Sequence, residues 1–101
     1  METEEYIQPQ KTGYTLYSKS GCPNCTKVKH LLKSVEPANL IVDCDDYLIE
    51  NKQDFLQFIE SLAGKEWKTF PMIFHNGQFV GGYQETIVYY EKQNAFDSLH
   101  F

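Results

Sequence analysis

No stretch of this 101-residue chain approaches the roughly 18–20 consecutive apolar residues that a bilayer span needs. The opening METEEYIQPQ is acidic and has no apolar signal core, so export by a cleaved signal is not expected. Cysteine is scarce and odd in number, three residues in all, which argues against the disulfide framework of a small secreted domain. Positive charge is also short: nine Lys and Arg stand against fourteen Asp and Glu, a net charge of −5. A general nucleic-acid binder needs a basic face to neutralise phosphates, so that class is set aside. Together these absences point to a cytoplasmic protein, where a cysteine pair is reactive or metal-binding sooner than a static bridge.

The length suits one domain with a single modest core. Seven Tyr, seven Phe and one Trp supply large buried areas, enough to fold without covalent staples. Residues 1–12 are polar, contain Pro9 and lack a helical period; they read as a flexible tail anchored at most by Ile7, with the domain over 13–101. Residues 12–19 (TGYTLYSK) read as a strand that ends at the turn signal Ser20-Gly21.

From Pro23 the period becomes helical. Val28, Leu31, Leu32 and Val35 form one apolar stripe, lysines take the other face, and Pro37 is the expected stop. Residues 39–43 (NLIVD) are a short continuous apolar run, the pattern of a strand buried on both faces. A helix follows over 45–63, starting near Tyr47 or Asn51 and closed by Gly64. Two strands, 72–74 and 78–80, flank Asn76-Gly77, a strong hairpin signal, and a last helix runs over 83–96. The order is βαβαββα: a parallel pair from the first crossover and an antiparallel hairpin, without repeats or linkers.

The chemistry concentrates in SKSGCPNCTKVKH, residues 18–30. A lone C-x-x-C suits a redox pair, half a metal site or a structural disulfide. Pro23 fits the first helical turn, which puts Cys22 at or just before the helix N-terminus. There the unpaired N–H groups and the positive end of the helix dipole favour a thiolate, with Lys19 and Lys27 adding charge. Cys25, one turn further in, is more enclosed, so Cys22 is the expected attacking thiol and Cys25 the resolving one. A zinc site wants four ligands, and only Cys44 and the scattered His30, His75 and His100 remain. Cys44 reads as a small buried hydrophobe, His30 as solvated, and His75 and His100 as lacking catalytic partners.

Two further features bear on the pair. Pro71 opens a strand, which a cis Phe70-Pro71 bond would explain. Gly81-Gly82 lets another chain approach the backbone closely.

A C-P-x-C opening a helix after the first strand, a later [TV]-x-P before a hairpin and Gly-Gly after it together resemble the glutaredoxin family. The likeness covers roughly residues 13–97. It implies an α/β thioredoxin-like fold, with a four-stranded mixed sheet flanked by helices. It also implies a glutathione-dependent thiol–disulfide oxidoreductase that reduces protein disulfides and glutathione mixed disulfides through Cys22 and Cys25. By the same resemblance Lys19 reaches a glutathione carboxylate, Lys65 or Lys68 takes the glycine carboxylate, and the Phe70 backbone before Pro71 pairs with the tripeptide as an added strand. Gly81, Gly82, Tyr83, Gln84 and Glu85 would hold the γ-glutamyl end.

The chain departs from the family pattern at three places. Asn24 replaces a common tyrosine, Glu85 a common aspartate, and Phe70 the usual valine. The expected partners are glutathione as co-substrate and oxidised or glutathionylated client proteins. No tightly bound cofactor, metal, nucleic acid or membrane is expected, and the chain is expected to be a monomer. Asn24 and Glu85 keep open a thioredoxin-like enzyme served by a protein reductase. An iron–sulfur carrier is the other alternative, although its usual C-G-F-S is missing.

Overall fold

The computed structural model describes residues 6–33, 35 and 39–99, the last five as backbone. The elements run β1 (Tyr14–Ser18), α1 (Pro23–Leu31), β2 (Leu40–Asp43), α2 (Asp45–Ala63), β3 (Met72–His75), β4 (Gln78–Gly81) and α3 (Tyr83–Leu99). This is the βαβαββα order read from the sequence. The sheet order is β2-β1-β3-β4, with β1 parallel to β2 and antiparallel to β3, and β3 antiparallel to β4.

Strand alternation sorts the core onto the two faces of the sheet. Tyr17, Val42, Met72 and Phe74 face α2, where Phe55, Phe58 and Ile59 complete one cluster. Tyr14, Leu16 and Ile73 face the other way, against Val28 and Leu32 of the α1 segment and the half-buried Tyr83, Tyr89 and Tyr90 of α3. The result is three layers, helix on sheet on helix. No helix of the described residues is long and apolar enough to cross a membrane.

The hairpin turn has φ of 53° at Asn76 and 82° at Gly77, the two positive values that a type I′ turn demands. Asn76 is tied to the entry of β1: its N–H donates to Gly13 O at 2.9 Å, and its side-chain oxygen accepts the Gly13 N–H at 2.8 Å.

Four expectations are corrected. NLIVD is not buried on both faces: β2 is an edge strand, Val42 is enclosed, and Ile41 is 51% exposed. A continuous apolar run does not distinguish a central strand from an edge one. Helix α1 ends at Leu31 and is capped by Leu32, before Val35, so the stripe continues beyond the helix; Pro37 lies outside the described residues. Helix α2 is interrupted at Asn51, whose side-chain oxygen accepts the Asp54 N–H at 3.1 Å as an N-cap does. This explains why Asn51 looks like a starting point, whereas the helix itself begins at Asp45, two residues before the expected Tyr47.

The fourth concerns the N-terminal segment. Its anchoring side chain is Tyr6, not Ile7, which is 47% exposed. Tyr6 packs between Tyr47, Phe55 and Phe58, and its hydroxyl donates to Asp54 at 2.6 Å. The Ile7 backbone is nevertheless held, its carbonyl accepting from the Tyr17 hydroxyl at 2.6 Å.

Candidate active site

Cys22 is the N-cap of α1, in extended backbone, with Pro23 in the first helical turn. Its sulfur accepts the Cys25 N–H at 3.1 Å and is joined to the Cys25 sulfur in a disulfide. Cys22 is half-buried at the surface, whereas Cys25 is enclosed. The two sulfurs therefore differ in access, as the spacing predicts. A backbone N–H at the first turn of a helix, aimed at a sulfur in this way, is the kind of donor that favours a sulfur anion.

An open cleft of about 410 Å³ surrounds Cys22, lined also by Lys19, Asn24, Lys68, Thr69 and Phe70. Five residues singled out from sequence thus meet in one place: Lys19, Cys22, Asn24, Lys68 and Phe70. The Phe70-Pro71 peptide is cis, and Pro71 is buried behind the cleft. The Lys19 ammonium lies 5.7 Å from the centre of the Phe70 ring. Lys68 pairs with Glu66 at 3.2 Å, an exposed contact of little energetic weight.

Gly81 and Gly82 adjoin the cis-proline. A Cβ at Gly82 would stand 3.5 Å from the Pro71 carbonyl and 3.3 Å from the Trp67 ring, and one at Gly81 only 2.6 Å from Glu85 Cβ. The Glu85 carboxylate folds back to accept the Gly82 N–H at 3.0 Å. Tyr83 is held by Lys27, 5.4 Å from its ring centre.

Not every candidate borders the cleft. Lys65 lies over the Trp67 ring, 5.7 Å away. Gln84 and Glu85 line a second groove of about 470 Å³ with Val80, Val88 and Lys92, to which neither cysteine contributes.

Cys44 is fully buried, its thiol donating to Val42 O at 3.7 Å, and burial pushes that thiol up to about 12. His75 does have partners: Nδ1 lies 2.6 Å from the Tyr89 hydroxyl and the ring stacks on Tyr14, while burial lowers its pKa. His30 is exposed, and His100 lies outside the described residues. Among the described residues no cluster of three or more His, Cys, Asp or Glu is arranged to hold a metal ion.

The glutaredoxin family profile matches residues 14–80. The chain belongs to the glutaredoxin family. It is 29% identical over 76 residues to Glutaredoxin-C4 of Arabidopsis thaliana, covering 75% of this chain and 53% of that protein. It is 32% identical over 84 residues to Glutaredoxin 1 of Rickettsia conorii, covering 83% of this chain and 76% of that one. The structure of reduced Escherichia coli glutaredoxin matches with a TM-score of 0.62 and 26% identity, over 80% of this chain and 95% of that one. A buckwheat glutaredoxin–glutathione complex shares the fold, with a TM-score of 0.63 and 18% identity, over 83% of this chain and 73% of that one. The chain spans about half the length of several curated relatives, 53% of Glutaredoxin-C4 and 43% of bovine mitochondrial Glutaredoxin-2.

Within this glutaredoxin fold, the sequence reading missed Asp45. Its carboxylate accepts the Ser20 N–H at 2.9 Å and the Ser20 hydroxyl, just ahead of the cysteine pair. Twenty-five positions separate the two residues, and no local pattern in the sequence joins them.

Proposed function

We propose that this glutaredoxin is a glutathione-dependent thiol–disulfide oxidoreductase acting on protein disulfides and glutathione mixed disulfides. The observation that carries this is the unequal Cys22–Cys25 pair, with Cys22 at a helix N-terminus and open to a cleft bordered by two lysines.

With a mixed disulfide, the Cys22 thiolate attacks the glutathione sulfur. The Cys22–glutathione bond forms and the client thiolate leaves, taking up a proton. A second glutathione thiolate then attacks the bound glutathione sulfur, releasing glutathione disulfide and the Cys22 thiolate. With a protein disulfide, the Cys22 thiolate attacks one client sulfur, the client S–S bond breaks and the other client sulfur leaves as a thiolate that takes up a proton. Cys25 then attacks Cys22, releasing the dithiol client and leaving the internal disulfide, which two glutathione molecules reduce. Attack is fastest when the thiol's pKa lies near ambient pH, since an over-stabilised thiolate is a poorer nucleophile.

Glutathione fits the cleft by charge. Lys19 and Lys68 offer two cations to its carboxylates, and Lys68, which borders the cleft, is better placed than Lys65. The Phe70 backbone before Pro71 takes the tripeptide as an added strand. Gly81, Gly82 and Tyr83 receive its γ-glutamyl end, Asn24 borders the mouth, and Gln84 and Glu85, which line the neighbouring groove, reach it only if the Glu85 carboxylate releases the Gly82 N–H. The buckwheat glutaredoxin bound to glutathione supports this choice of co-substrate. The unit acts as a monomer in the cytoplasm, where the glutathione pool keeps such pairs cycling.

Turnover in a glutathione/glutathione-reductase coupled assay tests the reading. Cys22→Ser abolishes it, while Cys25→Ser retains it on glutathione mixed disulfides. Loss in Cys25→Ser with retention in Cys22→Ser overturns the assignment, and turnover with thioredoxin reductase alone replaces glutathione as the donor.

A further inference from the structure

The turn that delivers Cys22 is gripped from outside the motif. Ser18 O accepts the Cys44 N–H at 2.8 Å. Two residues on, Ser20 gives both its N–H, at 2.9 Å, and its hydroxyl to the Asp45 carboxylate. The junction of β2 and α2 thus holds the junction of β1 and α1 at two successive points. Only Gly21 separates this grip from Cys22. Its φ is +68°, and a Cβ there would meet nothing within 4 Å. A glycine without neighbours does little to fix direction, so the path into α1 is set by what holds Ser20.

Both carboxylate oxygens of Asp45 are engaged, one by each donor of Ser20. Those bonds, the side-chain one first, with the nearby Lys19 charge, hold the acid below the usual carboxylate range. The Asp45 N–H donates to the Asp43 carboxylate at 3.0 Å, and Lys19 is the charge that favours the ionised acid. Asp45 also opens α2, where a negative charge suits the helix dipole.

We propose that Asp45 is a positioning residue for Cys22: by fixing Ser20 it sets the Gly21 turn so that the Cys22 sulfur meets the Cys25 N–H. The same grip keeps Lys19, the neighbour of Ser20, over the Phe70 ring beside the cleft. This deepens the reading of Cys22 as attacking thiol and rests on it. A positioning role and a bare charge effect have opposite signs. Removing a carboxylate near a sulfur favours the thiolate, whereas loosening the turn takes away the N–H that stabilises it.

The experiment uses the full chain, reduced, with Cys25→Ser, and follows iodoacetamide alkylation of Cys22 against pH by intact-protein mass spectrometry. Asp45→Ala moves the profile to higher pH by about half a pKa unit or more, which slows alkylation by about threefold on the acid side of the Cys22 midpoint. Asp45→Asn keeps an oxygen for Ser20 and does not follow the alanine variant upward. Ser20→Ala, which loses only the hydroxyl, shifts upward by less. The proposal is overturned if Asp45→Ala leaves the profile in place or lowers it, or if Ala and Asn shift equally in either direction. Should Asp45→Ala fail to fold, Ser20→Ala decides: the parent's profile in that variant overturns the proposal. Alkylation needs no glutathione, so failed turnover with glutathione and failed positioning are read separately.

Discussion

The Phe70 ring lies nearly parallel to that of Phe55, with 6.2 Å between centroids and 9° between planes. Its cleft side carries the Lys19 ammonium. The residue before the cis-proline therefore does more than present its backbone, as the sequence suggested. Its ring joins the core beneath α2 to the cation beside Cys22. Phe70→Val is expected to lower stability by about 1–2 kcal/mol. It also unseats Lys19, a contact worth about 0.5–1 kcal/mol, or about a two- to fivefold rise in KM for glutathione. Denaturant unfolding and steady-state kinetics check the two effects.

Cys44 lies in the core with its thiol pushed up to about 12, so it is unreactive while the protein is folded. In the reduced native protein, iodoacetamide labels Cys22 first, and Cys44 only after denaturant is added. In the unfolded chain this thiol ionises near its ordinary 9.0. The unfolded state thus loses its proton first, and stability falls as pH rises above about 9. Tyr14, raised by burial to about 12, acts in the same direction from about 10. Peptide mapping and alkaline unfolding curves test both statements.

His75 gives an acid-side prediction. Burial lowers its pKa below 6.5, so the unfolded chain binds the proton more readily than the folded one. Its contribution is intact above pH 6.5 and is lost as pH falls from there through the folded value. His75→Phe keeps a ring against Tyr14 and removes that slope, which melting temperatures between neutral and mildly acidic pH will show. Asp45 acts in a separate window: its lowered pKa gives stability that is present above 3.8 and lost as pH falls through the folded value.

Gly81 and Gly21 differ in kind. At Gly81 φ is +134° and a Cβ would fall 2.6 Å from Glu85 Cβ, while at Gly21 the space is open. Gly81→Ala is expected to cost about 2–3 kcal/mol and Gly21→Ala about 1–2 kcal/mol. Glu85→Ala does not rescue Gly81→Ala, because the closest atom, the Cβ of residue 85, remains. Thermal or denaturant unfolding of the three variants gives the comparison.

Local patterns made the element order, the Asn76-Gly77 turn, the placement of Cys22 before α1 and the Gly64 helix stop legible. Each depends on a handful of neighbouring residues whose backbone preferences agree. The features that were not legible arise from contacts distant along the chain. The edge position of β2 depends on which strands pair, not on its own apolar run. Tyr6 finds its slot among Tyr47, Phe55 and Phe58 only once α2 packs on the sheet. Asp45 reaches Ser20 because β1 and β2 end side by side, Ser18 opposite Asp43. The cis Phe70-Pro71 bond stands between these cases. Proline at a strand start raised it, and its place beside the cysteine cleft gives it meaning.

The most direct measurement is the reaction of the reduced protein with glutathione disulfide across pH, followed by mass spectrometry with peptide mapping. Attack by Cys22 predicts a single glutathione adduct on Cys22, trapped in Cys25→Ser and resolved to the Cys22–Cys25 disulfide in the parent. An adduct formed first on Cys25, or none on Cys22 at neutral pH, would contradict it.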